Sequence, residues 1–126
     1  NKYLISTQVF NSKMYLSLAS NDWGVPSVKQ NITSRRKFTI SPNPNISSGI
    51  YYPENGTEIN IRARSKIIGY YNTVNRYGNH IIEIRGLPVR NHSQSHHKHT
   101  QWILHKVIDD NNNILGYKIE NKKIAN

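Results

Sequence analysis

Residues 58–63 read Glu-Ile-Asn-Ile-Arg-Ala, and their unbroken alternation decides the class of fold. Ile59, Ile61 and Ala63 fall on one side of an extended chain; Asn60, Arg62 and, one step on, Arg64 fall on the other. A period of two is what a strand with one buried face requires, whereas a helix would scatter the same residues around its circumference. The pattern spreads outward from here. Ile67–Tyr71 returns after a Ser65-Lys66 turn, and His80–Arg85 (HIIEIR) follows the turn Asn75-Arg76-Tyr77-Gly78. Upstream lie Lys2–Phe10, Met14–Ala19, a short segment holding Val25 and Val28, and Arg35–Ser41. Downstream come Gln101–Ile108, the turn Asp109–Asn113 and Ile114–Ile119. No segment carries helical periodicity with caps, so the expected fold is all-β, with seven or more short strands in one domain spanning 1–126. Tyr3, Ile5, Thr7 and Val9 are expected on one face of the first strand, and Met14, Leu16, Leu18, Phe38, Ile40, Trp102 and Leu104 in the core. Two long loops, Ser41–Thr57 and Gly86–Lys98, interrupt the strands; Tyr51 and Tyr52 are expected to pin the first to the body.

The totals narrow the function classes. Seventeen Lys+Arg against seven Asp+Glu leave a formal charge of +10. Such an excess concentrates polyanions at the surface in a salt-dependent way, with nucleic acid and acidic glycan as the candidate partners. Cysteine is absent, which removes disulfides, thiolate metal sites and cysteine nucleophiles. No apolar run approaches the ~20 residues a membrane-spanning helix needs. The chain opens at Asn1 without an initiator Met, and is read as a domain excised from a larger protein. Four Asn-x-Ser/Thr sequons, at Asn31, Asn45, Asn55 and Asn91, tilt the compartment toward the secretory route, which otherwise stays unknown.

The two halves repeat. YLIS, MYLSL, a short segment and KFTIS occur in order in the first; EINIR, IIGYY, HIIEI and QWILH occur in the second. Each half offers four short strands, the last with an aromatic near its start, Phe38 or Trp102. This resembles the repeating lobe of a β-trefoil, in particular the ricin-B-like lectins and the MIR modules of protein mannosyltransferases. In those families a four-strand lobe occurs three times around a pseudo-threefold axis, and the resemblance implies sugar binding. It covers roughly the first 107 residues. Gln101 and Trp102 are adjacent, where the ricin-type signature has one residue between them, and the 19 residues after Val107 are too few for a third lobe. The third lobe is then incomplete, or strands of a partner chain finish the barrel, or the fold is another small antiparallel barrel or sandwich.

Residues 91–107 concentrate the unusual chemistry: His92, His96, His97, His99 and His105 are five of the six histidines. As a metal set they lack a nearby carboxylate and the H-E-x-x-H spacing, so no metal or other cofactor is assigned. As a ribonuclease centre, His99, His105 and His80 could act as general acid and base on a ribose hydroxyl, with Lys106 and Arg85 stabilising phosphorane charge. As an anion-binding loop, His97 and Lys98 would gain charge under mild acid. Arg35, Arg36 and Lys37 form the densest basic run, and Arg62, Arg64 and Lys66 a second. Trp23 in a loop and Tyr70 on a strand are the aromatics placed to stack on a sugar or base. The expected function is a non-enzymatic module that binds carbohydrate of the acidic or sulfated kind. The alternative is a metal-independent ribonuclease or an RNA-binding domain.

Overall fold

The computed structural model describes residues 2–18, 26–32, 37–44, 46, 49–88 and 97–124. They form nine strands: β1 Ser6–Val9, β2 Ser12–Leu18, β3 Pro26–Lys29, β4 Thr39–Ser41, β5 Thr57–Ala63, β6 Lys66–Val74, β7 His80–Pro88, β8 Trp102–Ile108 and β9 Ile114–Asn121. Every pairing between them is antiparallel. The one helical element among the described residues is a 3-10 turn, Lys98–Thr100. No described helix is long and apolar enough to cross a membrane.

β1, β2 and β3 make a small sheet. The other strands form an antiparallel half-barrel in the order β7-β6-β5-β8-β9, with β4 paired to β5. The turns follow from local chemistry. Asp109 Oδ1 accepts the amides of Asn111 and Asn113, each at 2.9 Å, while Asn112 adopts φ 63, so DDNNN closes the β8–β9 hairpin. Asn75 Oδ1 accepts the amides of Tyr77 and Asn79 in the same way, with Gly78 supplying the positive φ of 81.

The pairing registers repeat between the two halves. Tyr3 bridges Phe38 in the first, and Ile59 pairs with Trp102 in the second. β4 then pairs onward with β5 through Ile40↔Ile61, as β8 pairs onward with β9 through Leu104↔Ile119. In each half the second and third strands also form a hairpin, β2–β3 or β6–β7. Tyr3, Ile59 and Tyr117 therefore hold equivalent positions, as do Ile5, Ile61 and Ile119.

Leu18, Phe38, Ile40, Ile59, Ile61, Trp102 and Leu104 are buried in one cluster, with Tyr3, Ile5, Leu16 and Tyr117 against its margin. The inward set read from alternation is thus the core, except Met14, which is only half-buried and lies outside the cluster because it pairs with the exposed Thr7 on the part of β2 that extends past the core. Trp102 is held by its Nε1–H, which donates to the Ile68 carbonyl at 3.0 Å. Several placements differ from expectation. Thr7 and Val9 are exposed, because the regular β1–β2 ladder forms beyond the edge of the core and covers nothing there. Arg64 leaves the outer face of β5: with φ 57 it turns into the β5–β6 hairpin and donates from Nη2 to the Leu18 carbonyl. Tyr51 is half-buried, 6.2 Å from the Tyr3 ring, but Tyr52 is exposed, so one tyrosine rather than two holds the first loop.

Candidate functional site

The outward face of β5 carries Glu58, Asn60 and Arg62, in the alternation that buries Ile59 and Ile61. These side chains line a shallow cleft of about 350 Å³, closed by Ser41 and Pro42 at the end of β4 and by Gln101 just before β8. Asn60 Nδ2 donates to the Thr100 carbonyl at 2.9 Å and anchors the 3-10 turn beside β5. Glu58 is engaged by Lys122, 2.7 Å away, so its negative charge is already matched. Arg62 differs. Its Nε is shut off from solvent and has no hydrogen-bond partner. An orphaned buried donor costs about 1–3 kcal/mol, and the rest of the Arg62 side chain lines the cleft. Lys37, exposed and two residues before Thr39, lies on the side of β4 that faces Arg62, since Thr39 and Arg62 are direct partners.

The histidine-rich stretch resolves into a buried anchor and exposed groups. Thr100 is wholly buried, and its Oγ1 donates to the His97 carbonyl. It lies against Gly69, where a Cβ would meet the His99 carbonyl oxygen at 3.0 Å and Thr100 Cγ2 at 3.1 Å. His97 and His99 stack with ring centroids 5.2 Å apart. Partial burial, the His97 ring and Lys123 all hold His99 below the usual imidazole value. Among the described residues no group of three or more His, Asp or Glu is arranged to hold a metal ion.

The candidates for acid–base work sit in separate settings. His80 is exposed at the start of β7, opposite Val74. His105 lies in mid β8, its Nε2 2.9 Å from Glu120 Oε1. Lys106 is 3.9 Å from Glu54. Arg85 is buried on β7, ion-paired with Glu83 and stacked 3.8 Å from the centre of the Tyr71 ring. Its charge is absorbed by the sheet that holds it.

The predicted ligand groups are likewise divided. Arg62 is in the cleft and Lys37 is exposed ahead of β4; Arg64 is committed to Leu18, and the Lys66 stem packs beside Gly86. Tyr70 lines a different, apolar groove, and His97 and Lys98 lie exposed on the turn. Trp23, Arg35, Arg36, His92 and His96 fall outside the described residues. Sequence reasoning passed over Glu58, Asn60, Ser41 and Gln101. The alternation of EINIRA already turned the first two outward, but only folding brings Ser41 and Gln101 beside them. Comparison with protein-family models, curated proteins and solved structures finds no match for this chain.

Proposed function

We propose that the chain is a non-enzymatic, β-trefoil-like binding module for an acidic carbohydrate, with the β5 cleft seating the sugar's carboxylate or sulfate. The trefoil-like reading is supported by the repeated register: Tyr3 and β5 each pair with the fourth strand of their own half, and β5 and β9 each pair with the fourth strand that precedes them. The ligand reading is carried by one observation: the Arg62 side chain lines a cleft whose other walls carry the polar groups of Ser41, Glu58, Asn60 and Gln101 beside the apolar Pro42 and Ile59. Amides and hydroxyls suit sugar hydroxyls, and a guanidinium suits a planar or tetrahedral anion. The volume accommodates one ring rather than an extended chain. The +10 charge draws acidic glycans toward the site over neutral ones.

The test is a titration of the 126-residue chain with a sulfated disaccharide, a uronic acid and neutral lactose, followed by NMR. The acidic sugars are expected to shift the Asn60, Arg62 and Gln101 signals, lactose much less. Arg62→Gln should weaken binding about tenfold, the size of one lost charge-assisted hydrogen bond. Equal affinity in parent and variant would remove the cleft as the site. RNA incubated in parallel provides the opposing arm. Cleavage that disappears in a His99→Ala/His105→Ala double variant would displace the glycan reading in favour of a ribonuclease.

A further inference from the structure

β9 ends the half-barrel with an unpaired edge among the described residues, and an apolar groove of about 530 Å³ opens beside it. Its walls are Tyr70, Ile82, Ile84, Trp102, Ile119 and Ile124. Ile82 and Ile84 are 61% and 47% exposed, and Ile124 56%. The two carboxylates at the rim, Glu83 and Glu120, are paired with Arg85 and His105. A free strand edge beside a contiguous apolar surface calls for a polypeptide, not a sugar.

The internal repeat says which polypeptide. Ile61 on β5 is 3% exposed, while Ile119, its equivalent on β9, is 42% exposed. What covers Ile61 and is missing from Ile119 is the remainder of a lobe: a hairpin that follows the strand and a fourth strand that returns to pair with it. The hairpins point the same way. Counting along the paired registers, Leu18 in β2–β3 corresponds to Tyr70 in β6–β7, through Leu18↔Pro26 and Tyr70↔Ile84. Leu18 is fully buried, and its Cδ2 lies 3.0 Å from where a Cβ on Gly86 would stand, so the next lobe's hairpin covers it. Nothing covers Tyr70 in that manner among the described residues.

We propose that β9 is the opening strand of a further lobe, and that the groove and the free β9 edge are the seat of that lobe's hairpin and fourth strand. The register specifies the fourth strand. Ile59 faces Trp102 and Thr57 faces Leu104, so the incoming strand sets an aromatic opposite Tyr117 and, two residues on, an aliphatic opposite Leu115. A second copy of this chain does not supply it. β4 is engaged by Tyr3 and by β5, and β8 by β5 and by β9, which leaves no fourth strand to lend among the described residues. The proposal rests on the trefoil-like reading of the fold and is independent of the ligand.

The test extends the full chain by a copy of its own residues 67–108 placed after Ile124, the position equivalent to Lys66. Hydrogen exchange is followed at Tyr117 and Ile119. Their amides alternate with that of Lys122, which donates to the carbonyl of Gln101, the residue just before β8, and so face the free edge. Closing the edge should slow both by about 100-fold or more, the protection of a ladder amide, and abolish the binding of an apolar dye that the open groove of the 126-residue chain is expected to give. A control carrying Trp102→Ser and Leu104→Ser in the copied segment alone should lose the protection. Unchanged exchange at Tyr117 and Ile119 in the extended chain, or equal protection in the control, overturns the proposal. The ladder joining Ile59 to Trp102, measured in the same spectra, keeps the two readings apart. Fast exchange there in the 126-residue chain would sink the trefoil-like reading itself; slow exchange there with an open β9 edge would sink only the seat.

Discussion

Phe10 shows how single residues act here. It sits in the β1–β2 turn with φ 54 and 95% of its surface exposed. A left-handed conformation costs a residue with a Cβ about 1–2 kcal/mol, and a ring in solvent returns no packing to offset it. Phe10→Gly is therefore expected to raise stability by up to about 1 kcal/mol, read as a higher urea midpoint. His99 acts through protonation. Its folded-state value lies below that of the unfolded chain, first because of burial and then because of His97 and Lys123. The fold thus favours the neutral ring. This contribution is fully present above pH ~6.5 and is lost as pH falls below that value, because the unfolded chain then binds more protons. A urea midpoint that declines from pH 7.5 to 5 in the parent, and declines less in His99→Gln, is the expected result; equal declines would exclude this role. Neither residue's conformation was legible in the sequence. A turn position and a ring stack depend on backbone angles and on neighbours that Phe10 and His99 do not specify.

Among the elements, the 3-10 turn Lys98–Thr100 is the clearest case of structure by close approach. It docks on β6 where Gly69 has no side chain, with Leu87 Cδ1 only 2.8 Å from a built Cβ. Gly69→Ala leaves room only if Leu87 and the turn both move. We expect a loss of about 1–3 kcal/mol, the usual scale of overpacking. Faster proteolysis after Lys98 should accompany it, since the displaced turn would free that bond. Unaltered cleavage with unaltered stability would show that the turn is not seated there. Strand identity, by contrast, was readable. EINIRA, HIIEIR and QWILHKVI each carry a period of two, and each became a strand within a few residues of its expected limits. β6 runs past its expected end because Asn72, Thr73 and Val74, which break the apolar alternation, still pair with Ile82, Ile81 and His80; β7 runs past its own because Gly86, Leu87 and Pro88, expected as the start of a loop, pair with Ile68, Ile67 and Lys66.

For the whole molecule, charge is the governing term. With +10 spread over a small half-barrel, binding of a sulfated polymer should fall linearly on a log–log plot as salt rises. If Arg62 contacts the anion, Arg62→Gln should reduce that slope by about one. A slope unchanged by the substitution would place the contact elsewhere on the basic surface. Composition and periodicity by themselves determined the all-β class, most strand positions, the core residues from Leu18 to Leu104 and the net charge of +10, because each is a property of local pattern or of summed charge. The tertiary structure alone decided which charges are spent and which are open. Arg85 and Arg64 are engaged by Glu83, Tyr71 and the Leu18 carbonyl, while Arg62 lines a cleft to which Ser41 and Gln101 come from 21 and 39 residues away. That division depends on strand register, which sets who faces whom across the sheet, and register is fixed by packing between segments distant in the chain.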